Sequence, residues 1–302
     1  MGFPQGSQMK TVLLLDADIY AFKIASVSQR TVQFDPAEEP LIVLDDWDTE
    51  VVPRIEAAIL GIQEQLETEH VIICLSCPTA ENFRLDFLKT YKGNRDYSKR
   101  PEYLARIKEY MERRWPSYRR PRLEADDVMG ILSTNPTILP GRKIIVSEDK
   151  DMKTIPGWLF NPAKDRVPRY IDEEMADWWH MHQTICGDVT DGYAGCPGAG
   201  DKAATELLDS LDIWESYIHT ITRGPRKGTE LLLWKLSELP EGVTTWGRVV
   251  ALYEKHGYTE QDALVQARVS RICRSSDYNY TTKEVIPWTP VSRPQLREVK
   301  TA

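Results

Sequence analysis

Three short apolar runs in the first half of the chain read as buried strands: residues 11–16 (Thr11-Val-Leu-Leu-Leu-Asp16), 70–75 and 143–147. Each is too short for a helix and carries β-branched residues. Between the first two, residues 51–67 have helical periodicity, with Ile55, Ile59, Ile62 and Leu66 on one face. Strands alternating with helices over this length predict an α/β fold, a mainly parallel sheet flanked by helices on both faces. Residues 172–186 predict a further helix with Trp178, Trp179 and Met181 as core. From about residue 187 the pattern reads as helical throughout, punctuated at Arg223-Gly-Pro-Arg-Lys-Gly228 and Leu239-Pro-Glu-Gly242.

Polar positions add a second pattern, because carboxylates recur where the predicted strands end. Asp16 closes the first run, and Asp149 and Asp151 follow the third. Glu124, Asp126 and Asp127 open a helix-like stretch, while Asp188 and Asp191 lie in a glycine-flanked turn. In open α/β sheets, ligands bind in the crevice outside the carboxyl ends of the strands. Acids converging there repel one another unless cations neutralise them. Oxygen donors without His or Cys select two Mg²⁺ or Mn²⁺ ions rather than zinc. Such a pair suits phosphodiester hydrolysis by in-line displacement.

Charge changes the picture once it is resolved along the chain. The 302 residues carry a net −8, yet residues 89–122 hold twelve Lys/Arg against four Asp/Glu. A basic segment beside an acidic cluster suits a polyanion gripped in one place and cut in another. Arg84, Lys92 and Arg95 are candidates to hold the scissile phosphate. Tyr91, Tyr97, Tyr103, Trp115 and Tyr118 interleave with the cations, which suits stacking on bases.

A glycine-rich loop, Gly195-Cys-Pro-Gly198-Ala-Gly200-Asp-Lys202, precedes another helical stretch and predicts a backbone grip on a DNA phosphate. Five cysteines, with Cys74 and Cys77 lacking a second Cys/His pair, predict reduced thiols in a cytoplasmic setting. His180 and His182, two apart, cannot share a helix face as a metal pair. No apolar run spans a membrane, and the start lacks a signal-peptide pattern.

Taken together, Asp16, Phe83-Arg84, Tyr91-Lys-Gly-Asn-Arg95, Glu124-Ala-Asp-Asp127, Asp149-Lys-Asp151, Gly187-Asp-Val-Thr-Asp191 and the loop from Gly195 to Lys202 resemble the flap endonuclease/5′-nuclease superfamily. The resemblance is strongest to the 5′-exonucleases of T7-like bacteriophages, through Leu123-Glu-Ala-Asp-Asp-Val-Met-Gly130 and Gln183-Thr-Ile-Cys-Gly-Asp-Val-Thr-Asp-Gly-Tyr193 among others, and runs from Val12 to Trp288. It implies a PIN-like core at 10–186 with a helical arch at about 84–122. It also implies a helical, helix–three-turn–helix DNA-binding lobe at 187–288, with tails at 1–9 and 289–302. By the same resemblance, Asp16, Glu124, Asp126 and Asp127 serve a first metal, and Asp149, Asp151, Asp188 and Asp191 lie nearer a second. Lys92 is the cation at the scissile phosphate, with Tyr91 among the DNA contacts. Gly195, Gly198 and Gly200 belong to a K⁺ loop shared with a DNA phosphate.

The activity implied is 5′→3′ exonucleolysis of duplex DNA, extending to RNA primers on DNA, by a monomer in the host cytoplasm. One position departs from the family: where relatives end the second strand with Asp, this chain has Leu75-Ser-Cys77. Either Glu81 or another acid compensates, or the first metal is held more weakly and Mn²⁺ is favoured. A structure-specific flap endonuclease uses the same parts, and a DNA-binding module with weakened catalysis is the alternative from another class.

Overall fold

The computed structural model describes residues 10–33 and 39–290; the tail read at 1–9, and all but the first two residues of the tail read at 289–302, lie outside the described residues. The chain opens with β1 (Thr11–Asp16), α1 (Ala17–Val27), the hairpin β2 (Gln29–Val32) and β3 (Leu41–Leu44), α2 (Val52–Gln65) and β4 (Val71–Leu75). It continues through α3 (Leu104–Arg114), β5 (Ser117–Arg119), α4 (Ala125–Thr134), β6 (Arg142–Val146), β7 (Gly157–Phe160), β8 (Arg169–Ile171) and α5 (Glu173–Cys186). After α6 (Asp201–Asp209) come β9 (Asp212–Thr220), β10 (Glu230–Glu238), α7 (Thr245–Lys255), α8 (Glu260–Ser270) and the short pair β11 (Tyr278–Asn279) and β12 (Glu284–Val285).

The main sheet has the order β5-β4-β1-β6-β7-β8, parallel except for the β7–β8 pair. Because side chains alternate along a strand, β1 feeds two cores. Val12 and Leu14 join Ile72, Cys74 and Ile145 in the layer that holds Val128, Met129 and Leu132 of α4. Leu13 and Leu15 join Ile73, Ile144 and Val146 in the layer that holds Ile24 of α1 and Ile55 and Ile59 of α2. Each fully buried Leu or Ile stabilises by about 1.5–3 kcal/mol, so continuous apolar runs, rather than alternating ones, are what a sheet covered on both faces requires. The expected α/β class and its three strands are therefore present.

Residues 84–122, expected as an arch, contribute one helix and one strand to this framework. Ile107 and Met111, one turn apart on α3, are fully buried in the α1/α2 layer, and β5 forms the edge of the main sheet.

The chain divides into two compact units. Among the described residues, the first runs from Lys10 to His180 and also takes in Asp188–Tyr193 and Val269–Ile286; the second comprises Met181–Gly187, Ala194–Arg268 and Pro287–Pro290. The expected boundary at 186/187 thus differs from the structure, in which the Asp188/Asp191 turn and the 269–286 segment go with the sheet. Gly130 of α4 shows how closely that segment packs: a Cβ there would lie 2.3 Å from the Cys273 carbonyl oxygen.

The all-helical expectation beyond residue 187 is corrected by the structure. β9 and β10 pair antiparallel over nine residues each, from Asp212↔Glu238 to Thr220↔Glu230. Arg223-Gly-Pro-Arg-Lys-Gly228 is the hairpin turn, with Gly224 and Gly228 both at positive φ. The second unit's own core is helical: Val249 and Leu252 of α7, Ala263 and Ala267 of α8, and Ala204 and Leu207 of α6 pack with Met181 and Ile185.

Candidate active site

The strand order reverses direction at β1, which pairs with β4 on one side and β6 on the other. At that switch point, chain reversal leaves a crevice beyond the carboxyl ends. A cleft of about 1090 Å³ occupies it, lined by Asp16, Asp18, Cys77, Lys92, Glu124, Asp126 and Asp149 among others. Of the predicted acids, Asp16, Glu124, Asp126 and Asp149 line the cleft, because each follows a strand of the same sheet or opens the helix packed on it; Asp151, Asp188 and Asp191 lie outside its lining.

Asp16 ends β1 and caps α1, its Oδ1 accepting from the Ile19 N–H at 3.3 Å. Its Oδ2 accepts from the buried Ser147 hydroxyl at 2.7 Å, and Ser147 in turn accepts from the Asp149 N–H at 3.1 Å. Asp149 caps the short turn after β6 and accepts from the Asp151 N–H at 2.8 Å. Asp151 Oδ1 is buried with no hydrogen-bond partner. Burial pushes Asp16 up to about 7, with Asp18 adding to it. It likewise pushes Asp151 up to about 7, helped by Asp149. Asp126 is driven well above the usual carboxylate range by burial, then by Asp16 and Asp149, and Asp149 is raised, chiefly by burial. None of these four carboxylates has a side-chain ion pair among the described residues, and Lys92 and Lys150 offset the charge of Asp126, Asp149 and Asp151 only in part.

The other four acids are already paired. Glu124 carries Lys92, whose Nζ bonds its Oε1, and accepts from the Tyr91 hydroxyl at 2.8 Å. Burial pushes Glu124 up, but Lys92 and Arg84 outweigh it and hold it at about 2. Asp191 binds Arg95 at 2.6 Å and lies 3.4 Å from Lys92. For Asp188, burial is outweighed by Lys150 at 3.1 Å and by backbone N–H donors, leaving it below the ordinary carboxylate value.

Asp127 and Arg84 are placed differently from the expectation. Asp127 is fully buried at the third position of α4, where its Oδ2 accepts from the Glu124 N–H at 3.0 Å in a capping box. Its two oxygens take Arg84 bidentately at 2.8 and 2.9 Å, and Oδ1 also accepts from the Cys273 N–H at 3.0 Å. Arg84 completes its bonds on the Val269 and Arg271 carbonyls, at 2.8 and 2.7 Å. Neither side chain lines the cleft. Adjacent residues on a helix point about 100° apart, so when Asp126 faces the cleft Asp127 faces the core.

Lys92 does reach the cleft. It is 7% exposed and held at φ +53 with its N–H donating to the Asp191 carbonyl at 2.8 Å, a strained position of the kind found where a side chain must be aimed. Burial lowers its proton affinity, but Glu124 and Asp191 outweigh that and keep it charged.

Most of the interleaved aromatics are structural. Tyr91 is buried against Glu124, while Tyr103 and Tyr110 pack on Trp47, and Trp115 on Tyr110. Tyr97, 42% exposed, lines the cleft with Arg100 stacked over its ring.

Cys77 also lines the cleft, and burial, aided by Glu124, pushes its thiol up to about 11, so it stays protonated. Glu81 is exposed and does not line the cleft. Asp18, which the sequence reasoning missed, does line it and binds Lys108 at 2.8 Å. The signal was present: Asp16-Ala-Asp18 repeats at one strand end the spacing of Asp149-Lys-Asp151 at another.

In the second unit, residues 195–200 lead into α6, whose first two residues are Asp201 and Lys202. Gly195 has φ +65, its N–H donates to Gln266 Oε1 at 2.9 Å, and a Cβ would sit 2.3 Å from the Gly187 nitrogen. Gly198, at φ +89, would bring a Cβ 2.8 Å from His256 Nδ1. Gly200 caps α6 with open space around it, and Lys202 is exposed beside Glu206 at 3.6 Å.

A mainly parallel sheet with an acid-lined cleft at its switch point defines a resolvase-like α/β class. The chain belongs to the 5′-3′ exonuclease family: the family model described as "5′-3′ exonuclease, N-terminal resolvase-like domain" matches residues 11–157. It is 34% identical over 295 residues to the exodeoxyribonuclease of Enterobacteria phage T3, covering 95% of this chain and 96% of that one. It is 33% identical to the exonuclease of Escherichia phage T7, with 95% and 96% covered. Among solved structures, the phage T5 5′-exonuclease with bound zinc shares the fold at a TM-score of 0.50 and 18% identity, over 67% of this chain and 76% of that one.

Proposed function

We propose that this protein is a divalent-metal-dependent 5′→3′ exonuclease that hydrolyses phosphodiester bonds at 5′ ends of duplex DNA, and of RNA primers paired to DNA. It works as a monomer in the cytoplasm of an infected host. The observation that carries the proposal is the convergence of Asp16, Asp126, Asp149 and Asp151, all raised by burial and none in a side-chain ion pair among the described residues. The phage relatives of similar length support the same reading.

The donor set fits hard divalent ions. It is all oxygen, and a buried Asp151 Oδ1 lacks any partner. Four carboxylates match the charge of two divalent cations. Asp16, Asp126, Asp149 and Asp151 would hold them, with Glu124 at the edge of the set. When bound, such ions polarise the phosphate and activate water.

The chain's own side chains do the rest. Lys92 keeps its proton at Nζ and presents a fixed positive charge to the phosphate oxygens, a role for which it is pre-oriented by Glu124 and Asp191. Arg95, about two-fifths exposed on its Asp191 anchor, offers planar donors at the rim. Tyr97 and Arg100, stacked at 4.2 Å, line the cleft where an unpaired terminal base would lie. In the second unit, the Gly195 to Lys202 loop grips the duplex backbone, and a K⁺ ion shared with a DNA phosphate belongs to that contact.

The test uses 5′-labelled blunt and 5′-flapped duplexes with Mg²⁺. Labelled mononucleotide from the blunt duplex is expected, lost in Asp149→Asn. Oligonucleotide release confined to the flap would instead indicate a structure-specific endonuclease. Equal background release by wild type and Asp149→Asn would indicate a binding module.

A further inference from the structure

A second cluster of metal-ligand type lies in the second unit, apart from the acid-lined cleft. His182 and Cys186 are one turn apart on α5, so they share a face, and Asp201 is the first residue of α6. One ligand atom from each comes within 4.8 Å of the others. His182 Nε2 lies 3.3 Å from Asp201 Oδ1 and 3.8 Å from Cys186 Sγ. Thr205 Oγ1 is 3.4 Å from the same nitrogen.

With zinc bonds of about 2.0 Å to nitrogen or oxygen and about 2.3 Å to sulfur, tetrahedral edges are about 3.3–3.5 Å. The His182–Asp201 separation of 3.3 Å equals such an edge, and the His182–Cys186 separation of 3.8 Å reaches one when the thiolate moves in by about 0.3 Å. Imidazole nitrogen, thiolate and carboxylate together neutralise a divalent ion of borderline softness, unlike the all-oxygen set of the cleft. The imidazole is buried, which fixes its ring, whereas the Asp201 side chain is 89% exposed and leaves the ion a path to solvent.

We propose that His182, Cys186 and Asp201 bind one zinc-class ion, with water in the fourth position, and so tie the end of α5 to the start of α6. The ion would brace both ends of the glycine-bearing connection at residues 187–200.

Cobalt(II) reports on such a site, because only a thiolate ligand gives intense sulfur-to-cobalt charge-transfer absorption. The full chain is titrated with Co²⁺ in excess Mg²⁺, which occupies the carboxylate cleft. One equivalent is expected to develop the charge-transfer band, and Zn²⁺ to abolish it. Cys186→Ser should remove the band, and Cys77→Ser, at the cleft, should leave it intact. Asp201→Asn should weaken Co²⁺ binding at least about tenfold. No thiolate band in the wild type, or a band lost in Cys77→Ser but kept in Cys186→Ser, would overturn the proposal. Where Cys186→Ser does not fold by circular dichroism, the exposed Asp201→Asn decides, and unchanged affinity there overturns it as well.

Discussion

Neutralising two neighbouring acids, Asp126 and Asp127, should have opposite consequences, and the structure sets the size of each. Asp127→Asn keeps the shape but removes the charge facing Arg84, which is 2% exposed and has no other carboxylate closer than Glu124 at 3.4 Å. It also weakens a carboxylate that accepts from the Glu124 and Cys273 N–H groups. Breaking a buried ion pair from one side costs about 3–5 kcal/mol, a large share of the roughly 5–15 kcal/mol that holds a typical domain folded.

Asp126→Asn removes a charge that burial, Asp16 and Asp149 all oppose. Its place in the first turn of α4 returns only about 0.3–1 kcal/mol through the helix dipole. Thermal unfolding in EDTA should therefore leave Asp126→Asn at or above the wild type and Asp127→Asn far below it. With Mg²⁺ added, the wild type should gain stability by mass action and Asp126→Asn should gain much less. Nucleotide release per folded molecule should fall steeply in Asp126→Asn and modestly in Asp127→Asn. Equal destabilisation by both in EDTA would refute the division of roles, as would an Asp127→Asn protein of normal stability that no longer responds to metal.

Other outcomes follow from the same geometry. Lys92→Met should lower kcat by about 10²–10³ in a single-turnover assay, the usual scale for one preorganised charge at a reacting oxygen, with duplex affinity changed far less. In EDTA, thermal stability should rise as pH falls through about 7. Asp16 and Asp151 are raised to that value, so their contribution is present at low pH and lost as pH climbs. Glu124, lowered to about 2, contributes stability above the usual carboxylate pKa that disappears only in strong acid, and Mg²⁺ should flatten the neutral-pH rise; a metal-free curve without that rise would contradict the charge assignment. Gly195→Ala, which puts a Cβ 2.3 Å from the Gly187 nitrogen at φ +65, should cost more than about 1–3 kcal/mol in denaturant titrations, whereas Gly200→Ala should cost less than about 1 kcal/mol. Arg100→Ala should reduce the slope of log affinity for duplex against log salt by about 0.9, and Arg114→Ala, whose guanidinium is held by Glu56 at 2.9 Å, should leave it unchanged.

The sheet was legible because its strands are buried on both faces, and continuous runs such as Thr11–Asp16 have few other uses in a chain of this kind. Acids placed at the ends of those runs inherit their position from the sheet, so Asp16, Asp149 and Asp151 could be located without knowing any side-chain contact. Asp127 could not. Its difference from Asp126 is one step of helix rotation, and its partner Arg84 lies 43 positions away. The hairpin was missed for another reason: Leu231-Leu-Leu-Trp-Lys-Leu236 has no clean period of two, and leucine favours helices. β10 instead takes its conformation from nine-residue pairing with β9. At Cys77 the sequence left open whether Glu81 or another acid compensates; of the two, Asp18 in the first turn of α1 lines the cleft and Glu81 does not.

Charge along the chain was legible as a sum but not as a field. Of the twelve cations between residues 89 and 122, seven form ion pairs: Lys92, Arg95, Lys99, Lys108, Arg114, Arg119 and Arg122. Arg106 is stacked on Trp47 at 3.8 Å and Arg120 on Tyr118 at 5.0 Å. The apparent surplus is therefore divided between two tasks. Lys92, Arg95 and Lys108 are paired with Glu124, Asp191 and Asp18, which leaves the four metal-facing carboxylates with no ion pair among the described residues. Lys89 and Arg100 line the cleft with no ion pair among the described residues, Arg100 being stacked on Tyr97. A polyanion meeting this surface is repelled by any carboxylate left uncovered, so divalent ions at those carboxylates would aid its association, and duplex affinity should be higher in Mg²⁺ than in EDTA despite the net charge of −8.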